Sequence, residues 1–225
     1  MILDGRVALI TGADGPIGAA IALRFAREGA VVVLNDIVSR HLDRVATEVV
    51  DIEAGRALIV LGDVSNRVHV ERMVRETLDT FGRIDILVNH AGDNEAAAAE
   101  GAALCADAIM PGMRDRNAGR VISTTFVGAV NGGAAAAPDA AVVTLTRRLA
   151  LEYAPCAVTV NCVAPGTTAV PAVPAVKDTV AELIPMGRLA APREIAAVYA
   201  FLASDDAAYV TGQVLFVDGG FSLVA

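Results

Sequence analysis

The fold is decided by residues 7–18, which have the sequence VALITGADGPIG. The first four of these residues are apolar, as in a short buried β-strand. Glycine then recurs at every third position, and from Ile17 onward apolar residues recur with the period of a helix. The sequence therefore predicts a strand, a tight glycine-rich turn, and a helix whose N-terminus faces that turn.

The glycine-rich turn has the context of a dinucleotide-binding motif, because it joins a strand to a helix. We expect Gly12 to permit the tight turn, Gly15 to let the backbone approach a pyrophosphate, and Gly18 to let the helix pack closely on the sheet. Unpaired N–H groups at a helix N-terminus bind anions, although Pro16 has no N–H to offer. Taken alone, the motif also fits an ordinary strand–turn–helix junction.

Asp36 strengthens the prediction of a nucleotide site. It ends the second predicted strand, where a carboxylate can accept hydrogen bonds from both hydroxyls of an adenosine ribose. The same carboxylate repels a 2′-phosphate, which favours NAD over NADP. The alternative role for Asp36 is that of a solvated loop acid or a helix cap.

Apolar runs alternate with amphipathic stretches along the rest of the chain. This alternation predicts an α/β fold, with a Rossmann-type, doubly wound parallel β-sheet flanked by helices. No internal repeat or linker divides the sequence, so we expect one domain spanning residues 1–225. Strands are predicted at residues 7–10, 31–34, 57–60, 84–88, 120–122, 158–163 and 213–217, and helices at residues 17–28, 40–52, 66–81, 95–109, 138–153 and 192–202.

Composition and charge exclude several classes of protein. A formal net charge of -8 is unsuited to a nucleic-acid backbone, which binds clustered Lys and Arg. No apolar run is long enough to span a bilayer, and the first residues lack the order of a signal peptide, so we expect a cytoplasmic protein without membrane contact. Cys105, Cys156 and Cys162 lack the spacing of metal ligands, which predicts reduced, mostly buried thiols and no bound metal.

Further motifs follow in a fixed order. Residues 63–64 (DV) follow the third strand, residues 89–92 (NHAG) the fourth and residues 165–166 (PG) the sixth, and residues 217–220 (VDGG) lie near the end. Together with the glycine-rich turn, these motifs resemble those of the short-chain dehydrogenase/reductase family over almost the whole chain. The chain departs from the family pattern at Pro16, where that pattern has a glycine.

The resemblance implies how a cofactor would be bound. It implies NAD, with the adenine beside the end of the third strand and the nicotinamide beside the ends of the fourth and sixth strands. It also implies a small-molecule substrate and a homodimer or homotetramer. The cofactor-binding residues predicted from the motif and the resemblance are Gly12, Asp14, Gly15, Ile17, Gly18, Asp36, Asp63, Val64, Asn89, Ala91, Gly92, Pro165, Gly166 and Thr168.

The catalytic pair of that family is missing. The family uses a serine and a Tyr-x-x-x-Lys pair, in which the lysine lowers the pKa of the tyrosine. None of the three tyrosines has a lysine four residues later, and Lys177 is the only lysine. Aligned with the family, the tyrosine and lysine positions fall on Ala135 and Asp139, and the serine position falls on Thr125.

Thr125 and Asp139 are therefore the candidate catalytic residues. A threonine hydroxyl could hydrogen-bond a carbonyl oxygen, and a carboxyl group among apolar alanines could donate a proton. Their alternative roles are a threonine at a strand end and a first-turn helix acid. The segment around residues 93–119 is also shorter than the resemblance implies, so we expect an altered dimer interface and an altered side of the cleft.

Three functional interpretations remain. The first, which the missing pair favours, is an NAD-binding protein without normal hydride transfer. The second is a non-redox enzyme on the same scaffold, such as a dehydratase, isomerase or cyclase, in which Asp139, Thr125, His90 or Asp93 acts as acid or base. The third is a slow NAD-dependent oxidoreductase acting on a small carbonyl or alcohol compound, since hydride transfer itself depends on geometry.

Overall fold

A single parallel sheet organises the molecule. The computed structural model describes residues 1–90, 95–125, 140–169 and 180–224. Within these residues seven strands pair in the order β3-β2-β1-β4-β5-β6-β7, and every pairing is parallel. The strands are β1 Val7–Thr11, β2 Val31–Asp36, β3 Arg56–Leu61, β4 Ile86–Asn89, β5 Gly119–Thr124, β6 Val158–Pro165 and β7 Val214–Val217.

Helices cover both faces of the sheet, and alternate strand residues point to opposite faces. Ala8 and Ile10 of β1 pack into the apolar cluster formed with α1, α2 and α6, whereas Leu9 packs into the cluster formed with α3, α4 and α5. This arrangement confirms the predicted doubly wound α/β fold. The helices are α1 Pro16–Arg27, α2 Leu42–Val50, α3 Arg67–Phe81, α4 Glu95–Asp115, α5 Ala140–Tyr153 and α6 Pro192–Ala203.

Helix α3 begins and ends where the sequence predicts. The Asn66 side chain caps its first turn by accepting hydrogen bonds from the N–H groups of Val68 and His69. Gly82 follows the last turn with a φ of 73°, a conformation that glycine adopts readily.

Helix α4 is longer than predicted, because it continues through Pro111 to Asp115 instead of ending near Ile109. Met110 and Met113 are fully buried against the sheet. Burial of this apolar face outweighs the hydrogen bond that a proline inside a helix removes. Among the described residues, no helix is long and apolar enough to cross a membrane.

The start of α6 is fixed by Glu194. Its Oε2 accepts a hydrogen bond from the Ala191 N–H at 2.8 Å, while both carboxylate oxygens accept from the Arg188 guanidinium at 2.8 and 2.7 Å. These hydrogen bonds, the one from Arg188 above all, lower the pKa of Glu194 to about 2. The ion pair therefore joins residues 188–191 to the first turn of the helix.

Stability should depend on pH through Glu194. Its folded pKa lies below its unfolded value, so the carboxylate stabilises the fold above the unfolded pKa of 4.5, and this contribution is lost as pH falls towards the folded value of about 2. We expect Glu194→Gln to lower the unfolding temperature near neutral pH and to match the wild type at about pH 2. Thermal unfolding across this range is the measurement. The exposed Glu53→Gln is the control, and a stability deficit that persists unchanged into acid would contradict the assignment.

Candidate cofactor and substrate site

The sheet order places the site between β1 and β4. The chain leaves β1 towards β2 on one side, and it later returns to β4 on the other side. In open parallel sheets, ligands bind outside the carboxyl ends of the strands at such a reversal. The glycine-rich turn after β1 and residues 89–90 at the end of β4 meet at this point.

Two of the three glycines in the turn are required by the fold. A Cβ on Gly12, which has a φ of +65°, would lie 1.7 Å from the His90 carbonyl oxygen. A Cβ on Gly18 would lie 2.1 Å from the Gly12 carbonyl oxygen. Gly18 therefore lets the helix pack against the turn itself, whereas the sequence predicts that it packs the helix against the sheet. At Gly15 a Cβ would be 3.7 Å from its nearest neighbour, which leaves the front of the turn open.

Asp36 ends β2 as predicted and lies beside the turn. Its Oδ2 accepts the Asp14 N–H at 3.1 Å, and its Oδ1 accepts the Ile37 N–H at 2.8 Å. The Asp14 carboxylate in turn accepts the His41 N–H at 2.6 Å and contacts the His41 Nδ1 at 3.1 Å. Two carboxylates therefore share one edge of the site. No local motif predicts the part that His41 plays, because the contact spans 27 residues.

Asn89 carries an unpartnered acceptor at the same edge. Its Nδ2 lies 3.4 Å from the Ser123 Oγ. Its Oδ1 is buried, and in residues 1–90, 95–125, 140–169 and 180–224 it has no hydrogen-bond partner. A buried acceptor of this kind is completed by water or by a hydroxyl donor, and the hydroxyls of a nucleotide ribose fit this requirement.

The adenine-side residues predicted after β3 have protein partners. The Asp63 carboxylate accepts hydrogen bonds from the N–H and the hydroxyl of Ser65 at 2.9 and 2.7 Å, and these bonds lower its pKa. The Val64 side chain lies against α4, where a Cβ on Gly101 would come within 2.7 Å of it. Contact of these two residues with adenine stays a prediction.

The residues predicted for the nicotinamide side follow β6. The Gly166 N–H donates to the Val217 carbonyl at 3.0 Å, and a Cβ on Gly166 would lie 2.6 Å from the Asp218 Cα. The Thr168 hydroxyl donates to the Gly166 carbonyl at 3.0 Å. These contacts hold the chain after Pro165 close to the end of β7. Ala91 and Gly92, the other nicotinamide-side predictions, lie outside the described residues.

The two candidate catalytic residues differ in what the structure describes. Thr125 follows β5 and is fully buried, and its N–H donates to the Val163 carbonyl at 2.9 Å. Asp139 lies outside the described residues, as do Asp93 and Ala135. The placement of Thr125 agrees with its predicted position at a strand end, and its role in catalysis stays a prediction.

His90 takes part in a hydrogen-bond chain that the sequence did not predict. Its Nδ1 lies 2.9 Å from the Thr124 Oγ1, which lies 2.7 Å from the hydroxyl of Tyr199 on α6. Burial lowers the pKa of His90 to about 4 and raises that of Tyr199. Both side chains are therefore neutral near neutral pH.

A cleft of about 490 Å³ lies beyond the ends of β6 and β7. Its lining is partly apolar, with Ile184, Met186 and Phe216, and the Arg188–Glu194 ion pair also lies on its wall. The chain that joins residue 169 to residue 180 lies outside the described residues.

The cysteines are mostly buried, as the sequence predicts. Cys105 and Cys162 are buried, and Cys156 is partly buried. Burial raises the pKa of the Cys105 thiol to about 12, so it is unreactive near neutral pH. The described residues contain no group of three or more side chains able to hold a metal ion.

Comparison with known proteins places this site in a family. The protein-family model described as Enoyl-(Acyl carrier protein) reductase matches residues 12–222. A (2S)-[(R)-hydroxy(phenyl)methyl]succinyl-CoA dehydrogenase subunit of Thauera aromatica is 38% identical over 100% of both chains. Meso-2,3-butanediol dehydrogenase of Serratia marcescens is 38% identical over 98% of this chain and 96% of its own.

Solved structures agree with the sequence relatives. The crystal structure of levodione reductase superposes on this chain with a TM-score of 0.89 at 33% identity, and the match covers 99% of this chain and 100% of the reductase chain.

The 3-oxoacyl-[acyl-carrier-protein] reductase FabG of Thermotoga maritima is a further sequence relative. It is 34% identical, and the match covers 98% of this chain and 99% of the FabG chain.

These relatives correct the functional expectation drawn from the missing Tyr-x-x-x-Lys pair. The interpretation as a protein without normal hydride transfer is wrong, and so is the non-redox alternative, because full-length relatives are named dehydrogenases and reductases. The expectation rested on one motif, whereas the similarity extends over the whole chain. The chain belongs to the short-chain dehydrogenase/reductase family, whose members bind nicotinamide cofactors.

Proposed function

We propose that the protein is an NAD(H)-dependent oxidoreductase that interconverts a secondary alcohol and a ketone. The observation that carries the proposal is the shape of the turn after β1. A side chain at Gly12 would overlap the turn after β4 and one at Gly18 would overlap the Gly12 carbonyl, while the front of the turn stays open at Gly15. This geometry leaves room for a pyrophosphate at the N-terminus of α1.

NAD is favoured over NADP by two neighbouring carboxylates. Asp36 and Asp14 lie at the edge where an adenosine ribose would bind, and a 2′-phosphate would meet both negative charges. The Asn89 Oδ1, for which the described part of the chain offers no partner, is a further acceptor for a hydroxyl. The residues that would hold the cofactor are those predicted from the sequence, namely Gly12, Asp14, Gly15, Ile17, Gly18, Asp36, Asp63, Val64, Asn89, Ala91, Gly92, Pro165, Gly166 and Thr168.

The bound nicotinamide would supply the hydride, so the protein must orient the carbonyl carbon and provide one proton for its oxygen. Thr125 is the described candidate for a hydrogen bond to the carbonyl oxygen, since it lies at the carboxyl end of β5, beside β4. Asp139 is the candidate proton donor. Together, one ketone, one reduced cofactor and one proton give one alcohol and one oxidised cofactor.

The cleft beyond β6 and β7 favours a substrate with an apolar part. Ile184, Met186 and Phe216 offer apolar surface there. The relatives are named for compounds that carry a hydroxyl or oxo group, such as butanediol and a 3-oxoacyl chain. We also propose a homodimer or homotetramer in the cytoplasm. The odd number of cysteines, most of them buried, favours this compartment.

The direct test is NADH oxidation by the purified protein with a panel of ketones that includes 3-oxoacyl thioesters and vicinal diketones. We expect turnover with at least one of them.

Thr125→Val should lower kcat/KM by about a hundredfold, as expected for loss of a donor to the developing oxyanion. Asp139→Asn should lower kcat by roughly a hundredfold, as expected for loss of a general acid. The exposed Asp79→Asn is the control, and an inactive wild type across the panel would reject the proposal.

Cofactor preference should change with Asp36. We expect Asp36→Ser to weaken NADH binding about tenfold, because hydrogen bonds to a charged acceptor are lost, and to strengthen NADPH binding, because one negative charge is removed. Calorimetric titration of both cofactors measures this change, with Asp79→Ser as the control for a lost surface charge. Unchanged relative affinity for the two cofactors in Asp36→Ser would show that the ribose binds elsewhere.

Substitutions at two glycines of the turn should have different effects, one on cofactor binding and the other on the stability of the fold. Gly15 has a φ of -75° and space for a Cβ, so Gly15→Ala should keep the unfolding temperature within about 2 °C of the wild type while a methyl group intrudes on the pyrophosphate. We expect NADH affinity to fall about tenfold in that variant. Gly18→Ala should instead destabilise the fold, because its Cβ would overlap the Gly12 carbonyl. Calorimetry and thermal unfolding of both variants measure these effects, and equal cofactor affinity in Gly15→Ala and the wild type would contradict the assignment.

A further inference from the structure

Three side chains form a hydrogen-bond chain that runs from the cofactor edge into the core. His90 Nδ1 lies 2.9 Å from the Thr124 Oγ1, and this oxygen lies 2.7 Å from the Tyr199 hydroxyl. Tyr199 is completely buried, and among the described residues its hydroxyl has no partner other than Thr124. The chain therefore has a closed end in the core, at Tyr199, and its other end at His90.

The closed end fixes the direction of the hydrogen bonds. If the Tyr199 hydroxyl donates to Thr124 and Thr124 donates to His90 Nδ1, every hydroxyl hydrogen in the chain has an acceptor. If His90 instead carried its hydrogen on Nδ1, either Tyr199 or Thr124 would keep a buried hydroxyl hydrogen that has no acceptor among the described residues. An unpaired buried donor is costly enough to shift such an equilibrium by about tenfold or more. His90 should therefore carry its hydrogen on Nε2.

The Nε2 side of the ring adjoins the glycine-rich turn. A Cβ on Gly12 would lie 3.5 Å from the His90 Cδ2, the ring atom bonded to Nε2, whereas Nδ1 faces Thr124. Among the described residues, no hydrogen-bond partner is found for Nε2. The ring therefore presents a neutral N–H donor beside the turn that would hold a pyrophosphate.

We propose that the Thr124–Tyr199 chain locks His90 in the Nε2–H form and that this N–H donates a hydrogen bond to the phosphate-bearing linkage of the bound dinucleotide. The second half of the proposal rests on the proposed function, and the first half does not. Since a neutral imidazole is a weak acid, His90 acts here as a binding residue and not as the proton source for the reaction.

Nitrogen-15 NMR of the wild type tests the lock directly. The protein has only three histidines, so the His90 resonances are assigned by their loss in His90→Asn. We expect a protonated Nε2 and an unprotonated Nδ1 near neutral pH, and a shift of the Nε2–H resonance when NADH is added to saturation. A hydrogen on Nδ1, or an Nε2–H resonance that NADH leaves unmoved, would overturn the proposal.

Two substitutions at His90 test the donor by affinity. His90→Phe keeps a flat ring but removes the donor, and we expect the Kd for NADH to rise about fivefold or more. His90→Asn keeps an N–H donor and should bind NADH within about twofold of the wild type. Equal affinity in His90→Phe and the wild type would reject the contact. If His90→Phe fails to fold, the NMR result decides whether the Nε2–H group contacts the cofactor.

Failure of the proposed function can be told apart from failure of this proposal. A wild type that binds no NADH would reject the proposed function, whereas the His90 tautomer can still be measured by NMR without cofactor.

Discussion

The Gly12 backbone lies against the His90 carbonyl group, and the rest of the site depends on this contact between the turns that follow β1 and β4. No residue with a Cβ fits at Gly12, because that atom would lie 1.7 Å from the carbonyl oxygen. The same turn then excludes a Cβ at Gly18, which sets how closely α1 approaches. One backbone contact thus determines where the helix N-terminus and its unpaired N–H groups lie.

Charge is arranged around that contact in a consistent way. On one side, Asp36 and Asp14 form an acidic edge that suits a ribose with free hydroxyls. On the other side, burial keeps His90 neutral, so its ring places no charge beside the turn. The cleft beyond β6 and β7 adds apolar surface near the expected nicotinamide end. Under the proposed function, the cofactor and the substrate would therefore be recognised at different places along the edge of one sheet.

The fold could be predicted from sequence because its signals are local. Alternating apolar runs and helical periods predict strands and helices directly, and Asn66 and Gly82 mark the ends of α3. Helix α4 extends beyond its predicted end because burial of Met110 and Met113, a tertiary effect, outweighs the cost of Pro111 inside the helix.

Contacts between distant residues could not be predicted in the same way. Nothing in the sequence joins His41 to Asp14, or Tyr199 to Thr124 and His90, since sheet topology alone brings them together. The functional expectation is wrong for a related reason, because the missing Tyr-x-x-x-Lys pair is a single local motif, whereas the similarity to named dehydrogenases and reductases extends over the whole chain.

Transfer of deuterium from cofactor to product is the most direct measurement of the central claim. The purified protein is incubated with a ketone and NADH that carries deuterium at the nicotinamide C4, and the alcohol is examined by mass spectrometry. A hydride-transferring oxidoreductase places deuterium on the carbon that bears the new hydroxyl group. Two results would contradict this account. One is that no tested ketone gives an alcohol, and the other is that the alcohol contains no deuterium whichever face of the nicotinamide C4 carries the label.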